Sequence, residues 1–243
     1  MEKHIKKNFD SQFKSITTLN WLPWVGKTYV NKKTNRLLIV GESHYKWEEP
    51  GEDVAGYLAK DDFTRFFIYH NGLDFISGKE RERSRLIPNL ERALFYDSSP
   101  SEKMKLKLWE SVCFYNFVQR TLESRETTDR PEDSDWRVGW ETFFKVVDIV
   151  LPNYILFCGV KASDENGYFN NFLNLNNYKS DGIIRDKKKV NNTFSRYTTI
   201  KKDGNYEVPL VFIQHPSTRF SHECWADFLY KHWPDFFEEL CAE

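Results

Sequence analysis

Four runs of apolar residues are continuous along the chain, not alternating. "RLLIVG", Arg36 to Gly41, has no polar residue between Arg36 and Glu42. Unbroken apolarity over that length marks a strand buried on both faces. The same reasoning predicts strands at "ESVCFYNFV" (Glu110 to Val118), at "YILFCG" (Tyr154 to Gly159) and at "VPLVFIQ" (Val208 to Gln214). Ahead of the third, "WETFFKVVDIV" spaces its apolar residues as a helix does, through Val150, and Pro152 then breaks the helix. A further helix is predicted after the last strand. Strand and helix signals alternate, so the expected fold class is α/β: a three-layer α/β/α sandwich around a central, mainly parallel four-stranded sheet. In such sheets ligands bind at the carboxyl ends of the strands.

Three stretches stand outside this pattern. Residues 1–30 read as a helical lead-in followed by the aromatic segment "NWLPWVG". "ESRETTDRPEDSD", Glu123 to Asp135, is acidic and contains proline, which predicts an exposed loop. "RDKKKVNNTFSRYTTIKK", residues 185–202, is basic with Phe194 and Tyr197 interleaved, and reads as a loop or hairpin insertion. It is either a solvated lysine face or a surface for phosphates. There is no internal repeat and no linker composition, so residues 1–243 are expected to form a single domain.

Composition narrows the partners. The formal net charge is -1, so no global field draws the chain to a polyanion, and a nucleic-acid reading must rest on a local basic patch. Cys113, Cys158, Cys224 and Cys241 lie far apart without C-x-x-C spacing and read as free thiols in a reducing compartment. The N-terminus lacks the apolar core of a signal peptide, and no apolar run reaches transmembrane length. The expectation is a soluble, cytoplasmic monomer without a membrane partner.

Candidate chemistry collects where the strands end. "GESHY" follows the first strand, Asn116 lies within or just beyond the second, and "HPSTR" follows the last. Glu42 could cap a following helix through its dipole, or serve as a carboxylate that orients water or offsets positive charge on a sugar. Asn116 is an amide in an apolar strand, and a buried amide must find partners. It donates and accepts side by side, the pattern that reads a nucleobase edge. His215 could be a satisfied histidine before a proline turn, or a donor to an oxygen that gains negative charge. The histidines form no H-x-x-x-H pair, and no G-x-S-x-G elbow or G-x-x-x-x-G-K-[ST] loop occurs, so zinc-hydrolase, serine-hydrolase and NTPase readings have no support. Cys113 and Cys158 lie inside apolar strands and read as structural.

In order and placement these elements resemble the uracil-DNA glycosylase superfamily. That superfamily has a first motif of the form G-Q-D-P-Y-H or G-E-x-P-G, an asparagine on a later strand, and a second motif H-P-S. The matching positions here are Gly41 to Tyr45, Asn116 and His215 to Arg219, in order over roughly residues 36–230. "PNLERAL", Pro88 to Leu94, is similar to the helix after the first motif, and "VLPNYILFCG" to the family's helix-to-strand step. The resemblance implies a parallel sheet between helices and hydrolysis of the bond joining a flipped-out base to deoxyribose in DNA.

By that resemblance Glu42 assists water or stabilises the cationic sugar, Asn116 reads the base, and His215 stabilises the departing base anion. Ser217 grips a flanking phosphate, Tyr45 shapes the pocket wall, and Arg219 or a loop neighbour fills the space left by the flipped base. Ser43 stands where one form of the motif has aspartate, and His44 where both forms have proline. These departures point from uracil towards a bulkier, modified base, with Ser43 and His44 lining its pocket. If that base is one found in viral DNA, the role extends to antiviral defence. Lys187, Lys188 and Lys189 are the candidate phosphate contacts. The stacking aromatic is unassigned; Phe63, Phe66, Phe67 and Phe75 lie in the region where the resemblance would put it, each with a core role as the simpler reading. The cysteine spacing does not match the iron–sulfur branches, so neither cluster nor other cofactor is expected. Two alternatives stand: a non-catalytic binder that keeps the pocket, and a hydrolase using Glu42 and His44 as an acid/base pair.

Overall fold

The computed structural model describes residues 1–31, 35–46, 53–73, 84–123, 129–163 and 167–241. In chain order the strands are β1 (Trp24–Val25), β2 (Leu37–Gly41), β3 (His44–Tyr45), β4 (Cys113–Asn116), β5 (Thr121–Leu122), β6 (Tyr154–Cys158), β7 (Tyr178–Lys179), β8 (Ile184–Val190), β9 (Thr193–Lys202) and β10 (Tyr206–Ile213). Strands β4, β2, β6 and β10 lie side by side in that order, all parallel. They are the four runs of continuous apolarity.

The sheet has eight strands, not four. Strand β1 adds antiparallel to β4 at one edge, and β9 adds antiparallel to β10 at the other, itself pairing with β7 and β8. The additions escape the apolar pattern for physical reasons. A two-residue strand has no period, and β8 exposes most of its side chains. A two-stranded ladder of β3 and β5 stands apart, parallel, with His44 opposite Thr121.

Helices flank the sheet. Leu37 and Ile39 of β2 pack with α4 (Leu86–Phe95), α5 (Glu102–Trp109), α8 (His222–His232) and α9 (Pro234–Cys241). Leu38 and Val40 face the other way and pack with α1 (Asp10–Lys14), α6 (Asp133–Val150) and α7 (Tyr168–Leu175). Helix α6 ends as its sequence dictates, with Leu151 in the left-handed region (φ 46°) and Pro152 next. Its Trp140 is fully buried, with ring centroids 5.2 Å from Phe143 and 5.0 Å from Phe169. No described helix is long and apolar enough to cross a membrane. Cys113, Cys158 and Cys224 are free thiols.

The acidic stretch expected as an exposed loop is partly ordered by one arginine. Arg120 donates to both oxygens of Asp135 at 3.0 Å and forks onto Asp129 at 3.1 and 3.2 Å. Asp133 already begins α6, and the buried Asp135 completes a capping box with Glu132. Opposite charge, not apolar pattern, fixes this segment. Residues 124–128 of the expected loop lie outside the described residues.

The N-terminal segment is tied into the body by two polar anchors. His4 Nδ1 lies 2.7 Å from Glu110 Oε1, which Lys27 also approaches at 2.6 Å. Arg65, on α3 (Phe63–Ile68), is 2% exposed; it donates to the Pro23 carbonyl at 2.9 Å and forks onto the two Asp10 oxygens at 3.0 and 2.5 Å. A buried guanidinium that loses its carboxylate keeps its desolvation cost. Asp10→Ala is therefore expected to destabilise the protein by about 3 kcal/mol, read from urea unfolding. A loss below about 1 kcal/mol, the range of an exposed ion pair, would contradict this role for the fork.

Candidate active site

Gly41 closes β2 opposite Asn116 at the end of β4. The pairing is possible only because residue 41 has no side chain: a Cβ there would stand 2.1 Å from Asn116 Oδ1 and 2.8 Å from Phe114 Cζ. The Asn116 amide thus lies over the glycine. The residue is 3% exposed, yet among the described residues nothing hydrogen-bonds its amide; only its backbone carbonyl is engaged, by Gln119 Nε2 at 2.5 Å. A buried amide without protein partners keeps its donor and acceptor for something else.

Asn116 and Phe114 are two apart on one strand and share a face. Phe67 of α3 stacks against Phe114, with centroids 6.5 Å apart and planes at 30°. Of the four candidate stacking aromatics, Phe67 therefore adjoins the Gly41–Asn116 step. Phe63 is buried with Trp21 and Leu58, Phe66 stacks on Tyr57, and Phe75 lies outside the described residues.

Glu42 takes the other side. It lines a cavity of about 10 Å³ with Phe117, Trp136, Phe157, Gly159 and Lys161, room for one water molecule. Its Oε2 lies 3.6 Å from where a Cβ on Gly159 would be, at the carboxyl end of β6. Burial raises its pKa above the ordinary carboxylate value, and the charges of Lys161 and Arg130 oppose that rise. No helix follows for it to cap, because β3 comes next.

The rest of "GESHY" turns towards α3. His44 is 3% exposed, set among Trp21 (5.0 Å), Phe63 (4.7 Å) and Phe67 (5.6 Å), with Nε2 2.8 Å from Thr64 Oγ. Burial pushes its pKa down to about 3, so the ring is neutral and packs as an aromatic. Paired acid/base work with Glu42 has no support in this placement, because the two side chains serve different surroundings. Ser43 Oγ is buried and has no partner among the described residues. Tyr45 is half-buried, level with Leu122 on the β3–β5 ladder.

His215 follows β10 two residues after Ile213, whose side chain packs on the Phe114 face. Its Nδ1 faces the Ser217 backbone N–H at 3.3 Å and the Ser217 hydroxyl at 2.7 Å. A backbone N–H can only donate, so Nδ1 accepts, and the neutral ring carries its proton on Nε2. The Ser217 hydroxyl has one proton, and donating it to His215 withholds it from a phosphate. Ser217 thus orients the imidazole.

Two residues not singled out in the sequence hold this loop. Asn89 of α4 donates to the Pro216 carbonyl at 2.7 Å. Asn191, at the turn between β8 and β9, donates to the Arg219 carbonyl at 2.5 Å and to Gln214 Oε1 at 3.3 Å. Arg219 is exposed with φ 46°. The signal for the turn was present: "NN" suits a two-residue hairpin turn, and both asparagines have positive φ, 45° and 66°. Lys187, Lys188 and Lys189 are exposed on β8.

Among known proteins, no family model matches the chain and no curated protein is significantly similar to it.

Gly41→Ala is expected to displace the Asn116 amide and cost about 1–3 kcal/mol, as overpacking does. Urea unfolding together with the Asn116 side-chain NMR signals checks this, and unmoved signals would refute it. His44 sets a pH dependence. Its folded pKa lies below the unfolded value, so the unfolded chain binds the proton first. Its contribution to stability is complete above about pH 6.5 and shrinks as pH falls towards the folded value, by about 1.4 kcal/mol per unit. Between pH 7 and 5 the wild type should lose about 1–2 kcal/mol more than His44→Gln, measured by urea unfolding at each pH.

Proposed function

We propose that the protein is a DNA glycosylase that hydrolyses the N-glycosidic bond of a flipped-out base, a modified base in preference to uracil. The observation that carries this reading is the buried Asn116 amide, unpartnered among the described residues, over a glycine at the carboxyl edge of a parallel sheet. That amide supplies a donor and an acceptor to a base edge, and Phe67, which stacks on Phe114 next to it, is the aromatic this reading assigns to the base ring. His215, with its proton on Nε2, donates to the oxygen of the departing base.

The reaction needs little more. The C1′–N bond breaks with its electron pair leaving on the base, water bonds to C1′, and its proton passes to a base. Glu42 beside a water-sized cavity supplies that carboxylate; burial raises its pKa, and Lys161 opposes the rise. Ser43, whose buried hydroxyl has no partner among the described residues, is the feature that favours a base other than uracil. In this reading the flanking helices are the outer layers of a three-layer sandwich, and the protein works as a cytoplasmic monomer.

A second reading, a binding module that has lost the reaction, is favoured by one observation. Glu42 lies with Phe117, Trp136 and Phe157, the apolar cluster opposite the one behind Asn116.

The test is release of free base, by mass spectrometry, from a panel including uracil-containing and heavily modified phage DNA. Asn116→Ala and His215→Ala should each lower release by about 10²–10³-fold while the protein stays folded. Release should rise with pH through the elevated pKa of Glu42, because the ionised carboxylate is the base, and Glu42→Gln should flatten that profile. Silence of the wild type across the panel would transfer the assignment to the binding module.

A further inference from the structure

The β8–β9 hairpin concentrates charge in a chain that is otherwise near balance. Between residues 184 and 202 stand seven lysines and arginines against a single aspartate, in a protein of net charge -1. These charges are not treated alike. At the end remote from the turn, Lys201 pairs with Glu207 at 3.3 Å and Lys202 with Asp148 at 2.5 Å. At the turn end, Arg185, Lys187, Lys188 and Lys189 have no acidic partner among the described residues.

Register says where the unneutralised half lies. Arg185 is opposite Arg196, and Arg196 is opposite Phe212, one residue before β10 ends. Lys189 is opposite Phe194, two residues further towards the turn, hence level with the start of the His215 loop. There Phe194 is flanked by the Arg185 guanidinium at 3.8 Å and the Lys189 ammonium at 5.3 Å from its ring. The ring holds these cations in place without cancelling their charge. Beyond them Asn191 fastens the turn to Gln214 and Arg219.

We propose that the turn-proximal half of this hairpin binds the phosphate backbone of a DNA strand, and that Asn191 fixes this grip relative to His215. It rests on the proposed function for the identity of the polyanion. Unpaired cations along one β-ribbon suit a regularly spaced chain of phosphates, and the rigid tie gives the strand a defined register on the site.

The experiment is a fluorescence-anisotropy titration of the full chain with labelled oligonucleotides of ordinary bases, single- and double-stranded, over a range of salt. Lys187→Ala/Lys188→Ala/Lys189→Ala leaves the Arg185–Phe194 contact intact; it should weaken binding roughly tenfold or more and lower the slope of log K against log salt by about 3. Lys179→Ala/Lys201→Ala, at the remote end, should leave the slope within about 0.5 of the wild type. Equal losses in both variants, or none in the triple variant, would overturn the proposal, as would competition by polyglutamate as effective as by DNA. Asn191→Gly keeps the positive φ and removes the tie. It should speed amide exchange at residues 215–219 of the free protein, and unchanged exchange would detach the hairpin from the loop. Base release without the hairpin effect would leave the glycosylase reading standing and this one fallen; the hairpin effect without base release would do the reverse.

Discussion

A parallel sheet covered on both faces leaves few places for a polar side chain. Strands β2 and β4 bury every residue, β6 all but its first, and β10 its last four. Polar chemistry is confined to strand ends, where the backbone leaves the sheet and the packing constraint lapses. The Gly41–Asn116 pair is the sharpest expression of that constraint. An amide is admitted to the last position of β4 because the neighbouring strand gives up its side chain there. Everything else in the candidate site is arranged around that step: Phe67 on the ring beneath it, Glu42 beyond the glycine, and His215 past the end of β10.

The sheet's centre was legible because burial on both faces writes itself as continuous apolarity. Arg36 to Gly41 and Tyr154 to Gly159 could hardly be anything else, and with the strands came the residues at their ends. What stayed illegible had nonlocal causes. Trp24 and Val25 form a strand only because β4 offers an open edge. Asp129 and Asp135 are ordered by Arg120, which no periodicity announces.

His44 shows the limit most clearly. In the sequence it is a polar residue in a run of polar residues after a strand, the usual mark of a site. In the fold its surroundings are Trp21, Phe63 and Phe67, contributed from well before and well after it, and they make it part of the packing. Asn89 and Asn191 are the converse: ordinary surface asparagines by sequence, recognisable as supports only once Pro216 and Arg219 lie beside them.

The Arg65 fork has a kinetic side. Fifty-five positions separate Asp10 from Arg65, and one hundred and six separate His4 from Glu110. The central strands pair across separations as long, Leu38 with Cys113 and Leu37 with Tyr154, but their hydrogen bonds do not involve the N-terminal segment. Helix α3 carries both Phe67 and the Thr64 that engages His44, so its docking depends on the first residues of the chain. A fluctuation that lifts the N-terminal segment would therefore open the aromatic wall beside Asn116 while the sheet stays formed.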